Sequence, residues 1–115
     1  MSDMNTFFLQ GNLVKDPIQK STSSGKMLCE FSIANNRRWG SEDKASFFNC
    51  IAWGKQAELI TKYFHKGKPI LVSGEISQEK WEKDGKAHSK VVFVVREFSF
   101  QKEGKKDNLD TSIQF

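Results

Sequence analysis

Aromatic and basic side chains are the residues of this sequence whose types and spacing are best suited to binding a ligand. Ten Phe, three Trp and one Tyr occur among its 115 residues. Aromatic side chains usually fill cores, so rings that fall outside a core pattern are the informative ones. Four large rings lie on the outward side of a predicted strand or in connecting segments, at Trp39, Phe47, Trp53 and Trp81. The basic residues between or beside them are Arg37, Arg38, Lys44, Lys55, Lys80, Lys83 and Lys86.

This combination of rings and cations suits a single-stranded nucleic acid. Unpaired bases stack on aromatic rings, which is worth ~1–3 kcal/mol per base, while cations follow the phosphates. The formal net charge is +4, with 18 Lys and Arg against 14 Asp and Glu. A positive balance has the sign that a phosphate backbone requires. We therefore predict a nucleic-acid-binding surface built from these residues.

The elements that must position the rings follow from apolar periodicity. The helical spacing of Ala57, Ile60 and Phe64 predicts a helix over residues 55–65, and Asp84-Gly85 predicts a hairpin turn. A five-stranded Greek-key barrel with its helix between the third and fourth strands is the OB-fold, whose ligand face is commonly the second and third strands. The sequence thus predicts an all-β OB-fold with strands at residues 6–15, 27–34, 47–53, 70–81 and 88–100.

The segments between these strands define the predicted domain. We expect a polar loop over 20–26, a long charged connection over 35–46 and a bulge at Ser73-Gly74. On the third predicted strand, Phe48, Cys50 and Ala52 face inward, which leaves Phe47 and Trp53 outside. The predicted OB domain spans residues 1–100, and residues 101–115 form a short flexible tail.

Catalytic residues show no comparable grouping. His65 and His88 have no motif context, and no Cys-x-x-Cys pair exists. Cys29 and Cys50 lie inside predicted strands, which favours buried thiols over a zinc site or a disulfide. We therefore expect a binding protein that is not an enzyme and uses no metal or other cofactor.

Membrane insertion and secretion are also disfavoured. The longest apolar run, residues 91–95, is far shorter than the ~20 residues that a membrane-spanning helix needs. Asp3 stands where a signal peptide would carry basic residues. We expect a protein with no membrane partner.

Several short motifs, weak singly, resemble the bacterial and phage single-stranded DNA-binding protein family by their order and spacing across nearly the whole chain. They are Leu9-Gln10-Gly11-Asn12-Leu13 with Asp16-Pro17, Asn35 to Trp39, Ala52-Trp53-Gly54-Lys55 with Ala57-Glu58, Tyr63 to Gly67, Val72-Ser73-Gly74-Glu75-Ile76, and Lys80-Trp81.

The resemblance implies a cytoplasmic, nucleoid-associated homotetramer that protects single-stranded DNA in replication, recombination and repair. The base-stacking positions of the family match Trp39, Phe47, Trp53 and Trp81, and its phosphate contacts match Lys55, Lys66 and Lys80. The chain departs from the family pattern at two positions where a basic residue is common, Asn49 and Glu79.

The C-terminal tip of the family is an acidic run that ends in Asp-Ile-Pro-Phe or similar, after a long flexible linker. Here Ile113 and Phe115 keep their places, Gln114 replaces Pro, and Asp107 and Asp110 supply the side-chain acid. The linker is almost absent. The resemblance implies that Asp110, Ile113 and Phe115 dock replication and repair proteins, and the alternative is that they form the frayed end of a shortened tail.

Two other functions fit the same residues. One is a primosome-type or RNA-binding OB-fold protein that works as a dimer. The other is an assembly module whose exposed rings make protein contacts. Salt-sensitive quenching of tryptophan fluorescence by oligo-dT would separate DNA binding from assembly. The sequence leaves open tetramer against dimer, the nucleotide site size and binding mode, and a cellular or viral source.

Overall fold

The computed structural model describes residues 2–101, which form a barrel with one helix. Its elements are β1 (Phe7–Leu13), β2 (Ile18–Ser21), β3 (Met27–Trp39), β4 (Glu42–Trp53), α1 (Gly54–Tyr63), β5 (Pro69–Lys83) and β6 (Lys86–Phe100). Hydrogen-bonded neighbours run β1-β5-β6-β4-β3-β2, and β1 also pairs with β3. That extra pairing closes five strands into a barrel and leaves the short β2 at an edge. The OB-fold prediction is confirmed, with the helix between β4 and β5.

Two predicted boundaries were wrong at short or exposed segments. Residues 18–21 form the edge strand β2, paired with β3, where the sequence predicted no strand and a polar loop from residue 20. All four residues of β2 are exposed, so they carry no apolar alternation. The helix begins at Gly54, one residue before the predicted start, and ends at Tyr63, two residues before the predicted end.

The predicted charged connection over residues 35–46 is instead a β-hairpin. β3 continues to Trp39 and β4 starts at Glu42, and the two residues are paired across a turn at Gly40-Ser41. Gly40 has φ of 67°, a left-handed conformation that glycine adopts without steric cost. This β3–β4 arm, residues 35–46, projects beyond the barrel, because the β1–β3 pairing stops at Ala34.

The barrel core is apolar and is closed at one end by the helix. Ala57 and Ile60 of α1 and the following Phe64 are buried against the strand interior. At the other end, Phe93 makes edge-to-face contacts with Phe7 and Phe48, with ring centroids 5.0 and 5.3 Å apart. Within residues 2–101, no helix is long and apolar enough to cross a membrane.

Both cysteines lie inside this core as thiols. Cys29 is fully buried and Cys50 is 2% exposed. Burial raises the pKa of the Cys29 thiol, and burial together with the neighbouring Cys29 raises the pKa of Cys50 to about 12. The reactive species of a cysteine is the thiolate, so a raised pKa leaves almost no reactive form near neutral pH.

We therefore expect both thiols to be inert in the folded protein. At about pH 8, DTNB should release almost no thionitrobenzoate from the native chain, and denaturation should expose both thiols to rapid reaction. The reagent absorbance with and without guanidinium measures this. A fast reaction of either thiol in the native state would contradict the burial.

Two glycines allow backbones to approach closely where the barrel turns its corners. A Cβ on Gly11 would collide with the carbonyl oxygen of Ala34, and one on Gly74 with that of Val94. The β5–β6 register shifts between Ser73 and Gly74, which confirms the predicted bulge. Bulges of this kind bend a strand and help a small barrel to close.

Candidate nucleic-acid interface

The outer face of β4 carries two of the four predicted stacking rings. Side chains alternate along a strand, so Phe47 and Trp53 share a face with Asn49 and Ile51. Phe47 is 63% exposed and Trp53 is 41% exposed. Both rings therefore present apolar surface to solvent on one side of a rigid strand.

A small apolar cluster joins this face to β6. Ile51 is paired with Val94 in the parallel β4–β6 ladder. Ile51 also forms a buried cluster with Leu28 and Val92, and Val94 packs against it. Because paired residues share a face, the outer face of β4 continues across β6 along Val94 and Val92.

Trp81 lies on this same face, farther out. Beyond the barrel, β5 and β6 form a two-stranded β5–β6 arm, residues 77–92, in which Ser77 pairs with Val92 and Trp81 with His88. Alternation from Val92 through Lys90 to His88 keeps Trp81 on the outer side. Phe47, Trp53 and Trp81 together form what we call the stacking face.

Trp39 is placed differently from the other three rings. It is 69% exposed and pairs with Glu42 at the tip of the β3–β4 arm. Phe47 pairs with Ala34, so these two side chains share a face of the arm. On β3, only residues an even number of positions from Ala34 lie on that face, and Trp39 is an odd number of positions away. Trp39 therefore projects from the opposite side of the arm, where the Arg37 guanidinium carbon lies 6.0 Å from its ring centroid.

The predicted cations also differ in whether they lie near the stacking face. Arg38 is on the Phe47 side of the β3–β4 arm and its Nε is 3.2 Å from Asp43 Oδ1. Lys55 follows Trp53 by two residues, and its Nζ is 3.9 Å from Glu58 Oε1. All four of these charged side chains are more than half exposed, so their ion pairs are weak and can give way to phosphates.

Lys80 is not on the stacking face, and Lys66 lies outside the strands that form it. Lys80 pairs with Ser89, so alternation directs it to the other side of the β5–β6 arm from Trp81. Lys66 lies beyond the end of α1, where its backbone N–H donates to Asp16 Oδ1 at 2.8 Å. Alternation thus places Arg38 on the side of the three rings, and it places Lys80 and the Trp39–Arg37 pair on the opposite sides of the arms.

The two departures from the family pattern line a groove between β4 and the β5–β6 arm. Asn49 Oδ1 accepts a hydrogen bond of 2.8 Å from the Ser32 hydroxyl. Glu79 Oε1 lies 3.9 Å from Lys90 Nζ, its partner across the strands. The negative charge that Glu79 brings to the groove is therefore offset locally by Lys90.

Sequence reasoning missed two side chains next to Trp81. The His88 imidazole stacks on the indole with centroids 5.5 Å apart and ring planes 17° from parallel. Lys90 Nζ lies 6.0 Å from the same indole centroid. The sequence did contain a signal for the Trp81–His88 pair. A two-residue Asp84-Gly85 turn fixes the register of the arm and so places His88 opposite Trp81.

No candidate metal centre accompanies these residues. Within residues 2–101, no three His, Cys, Asp or Glu side chains come close enough together to hold an ion. What the described surface offers is stacking and positive charge.

Comparison with known proteins places this geometry in a family. Residues 4–101 match the sequence profile of the Single-strand binding protein family. The chain is 44% identical over 95 residues to a single-stranded DNA-binding protein of Treponema pallidum (strain Nichols), covering 79% of this chain and 54% of the relative. It is 42% identical over 96 residues to one from Aquifex aeolicus (strain VF5), covering 79% and 65%. The chain thus spans less than two thirds of the length of these relatives.

A solved structure gives an independent comparison of the fold. It is described as a Plasmodium falciparum SSB complex with ssDNA, and it superposes with a TM-score of 0.80 at 21% sequence identity. The match covers 89% of this chain and 98% of that one. The profile match and the related sequences show that this chain belongs to the Single-strand binding protein family.

Proposed function

We propose that this chain binds single-stranded DNA with little sequence preference, through the stacking face and the cations around it. The observation that carries the proposal is the position of Phe47, Trp53 and Trp81 on one continuous outer face, each at least 41% exposed. An isolated surface ring is ordinary, but three on one outer face of an OB-fold domain match what unpaired bases require. The names of the relatives, single-stranded DNA-binding proteins, support the same ligand.

Stacking explains why the binding should tolerate any sequence. Every base has a π-face, so a ring accepts each of them with similar energy. Reading a duplex sequence requires an element in the major groove. The helix α1 buries Ala57 and Ile60 against the barrel, so the one helix of residues 2–101 serves the core.

Phosphate contacts are proposed for the surrounding cations. Arg38 and Lys55 border the stacking face, and their exposed ion pairs can exchange for phosphates. Arg37 and Lys80 lie on the far sides of the two arms, and Lys66 lies beyond α1. A strand that uses these as well must pass around the arms, which suits a wrapped path.

The discriminating experiment is a titration of tryptophan fluorescence with oligo-dT and with a duplex of equal length, across a salt series. We expect quenching by oligo-dT, tighter binding to oligo-dT than to the duplex, and weaker binding as salt rises. Equal or tighter binding to the duplex would contradict the proposal. Quenching that does not change with salt concentration would favour the alternative of an assembly module, whose exposed rings make protein contacts.

Self-association has a separate surface available. Phe8 on β1 is 78% exposed on the outer side of the barrel, opposite Ser73 of β5. We propose that this face supports assembly into the homotetramer that the family resemblance implies. A dimer of primosome type is the competing arrangement, and the solution mass decides between them.

The remaining proposals rest on sequence resemblance. The tip residues Asp110, Ile113 and Phe115 lie outside the described residues 2–101, as does all of the predicted tail after Gln101. We propose that they dock replication and repair proteins, and that the protein protects single strands during replication, recombination and repair at the nucleoid. A binding role of this kind requires neither catalysis nor a cofactor.

A further inference from the structure

The end of the β5–β6 arm holds Trp81 and His88 in a fixed relation. Both residues of the turn have positive φ, 54° at Asp84 and 76° at Gly85. This is the backbone of a tight two-residue hairpin, which matches the twist of the strands and sets their register. Trp81 and His88 are consequently direct cross-strand partners.

The imidazole stacks on the indole, and the flexible Lys90 ammonium, with its Nζ 6.0 Å from the indole centroid, is a second group over the ring. The two rings are stacked at a centroid distance of 5.5 Å with an angle of 17° between their planes. Trp81 is still 42% exposed and His88 is an exposed residue. A base that stacks on the exposed part of the indole would add to this indole–imidazole pair.

The charges around His88 are mostly positive. By alternation, Lys86 and Lys90 on β6 and Lys83 on β5 share its side of the arm. The acid on this side is Glu79, whose carboxylate is 3.9 Å from Lys90 Nζ. Two further acids are nearby, with Glu82 directed to the other side of the arm and Asp84 in the turn.

This arrangement suits an anion at the end of the arm. A protonated imidazole stacked on an indole is a cation–π pair, and its N–H groups would donate to a phosphate oxygen. The lysines on the same side would attract the same phosphate.

We propose that His88 is part of the DNA-binding surface, where its imidazole stacks on Trp81 and its protonated form binds a phosphate of the nucleotide whose base stacks on the exposed part of Trp81. This inference rests on the proposed function. It makes DNA binding and proton uptake linked events. Since the phosphate favours the charged imidazole, affinity rises as pH falls through the range in which histidine titrates, around pH ~6.5.

The test measures oligo-dT affinity over a salt series at about pH 5.5 and about pH 8, a span centred near the usual histidine range. Thymine is chosen because it carries no group that titrates between these values. Binding is followed by anisotropy of a labelled oligonucleotide, and thermal melting verifies folding of each variant. The variants are His88→Gln, His88→Phe and the matched control His65→Gln, which removes the other histidine of the chain.

The unmodified protein should bind about tenfold more tightly at the lower pH, the change that one unit of pKa shift produces. Its plot of log affinity against log salt should be steeper there by ~0.7, the slope of one single-strand phosphate contact. His65→Gln should keep both differences. His88→Phe should keep stacking at high pH and lose both differences, and His88→Gln should lose both and bind more weakly at each pH.

Failure of the proposed function and failure of the role of His88 would give different results. Absence of oligo-dT binding at both pH values would overturn the proposed function itself. Tight binding whose pH and salt differences survive in His88→Phe and His88→Gln would overturn the role of His88 and leave the proposed function standing. Because His88→Phe preserves a ring opposite Trp81, a folding defect in His88→Gln alone still leaves a decisive comparison.

Discussion

Replacing Phe47 and Trp53 together by alanine is expected to weaken oligo-dT binding by about 2–6 kcal/mol, because each stacked base contributes ~1–3 kcal/mol. Both rings project from the outer face of β4, and neither belongs to the buried core. The barrel should therefore still fold. Anisotropy of a labelled oligonucleotide gives the affinity, and denaturation verifies the fold.

Phe8→Ala is the matched control for this double variant. Phe8 is more exposed than Phe47 and also projects from a barrel strand, but it lies on β1, outside the stacking face. Because the proposed role of Phe8 is in self-association, its loss should leave unchanged the affinity for an oligo-dT short enough to occupy a single domain. If the double variant binds as tightly as the unmodified chain, the stacking face is not the DNA site.

Single substitutions should rank the four rings. Trp81→Ala should cost as much as Phe47→Ala, because both rings lie on the stacking face. Trp39→Ala should cost about 1 kcal/mol, the low end of the range for one stacked base, since Trp39 projects from the other side of the β3–β4 arm.

Gly74→Ala is expected to lower the free energy of unfolding by about 3 kcal/mol, the upper part of the usual range for overpacking. The added Cβ would fall on the carbonyl oxygen of Val94 and would lie 2.9 Å from the backbone nitrogen of Arg96. Both obstacles are backbone atoms of β6, so no side-chain rotation can relieve the clash. Urea denaturation followed by fluorescence measures the change.

Ser73→Ala is the control beside it in the same bulge. It removes a hydroxyl and adds no atom toward β6, so stability should stay within about 0.5 kcal/mol of the unmodified protein, as for ordinary surface changes. Equal stability of Gly74→Ala and Ser73→Ala would show that the β5–β6 bulge is not packed as described.

The barrel was predictable because its strands have one buried side. Cys29, Phe31 and Ile33 alternate inward on β3, and the helical spacing of Ala57 and Ile60 marks α1. Burial of one side imposes a period of two on a strand. Where that constraint acts, the sequence predicted the element correctly.

The β3–β4 arm was missed because it has no buried side. Residues 35–46 are paired across the ladder, yet nearly all of them are polar and exposed. Backbone hydrogen bonds hold the two strands together there, and these leave no mark on side-chain periodicity. The Gly40-Ser41 turn was the remaining signal, and it is short and surrounded by charge.

The stacking rings were predictable individually, whereas their arrangement was not. Elimination from the core identified Phe47 and Trp53, but the side of the arm on which Trp39 lies depends on the register with β4. The same is true of Lys80 on the β5–β6 arm. Register is a tertiary property that a list of motifs does not contain.

The most direct test of the central claim is ultraviolet cross-linking of oligo-dT to the folded protein, followed by mass spectrometry of the linked peptides. Outside the stacking face the chain also exposes Trp39, which is expected to contribute weakly, and Phe8, Tyr63 and Phe100, which are not expected to contact DNA. We predict cross-links at Phe47, Trp53 and Trp81. Cross-links confined to Phe8, Tyr63 and Phe100 would contradict the central claim.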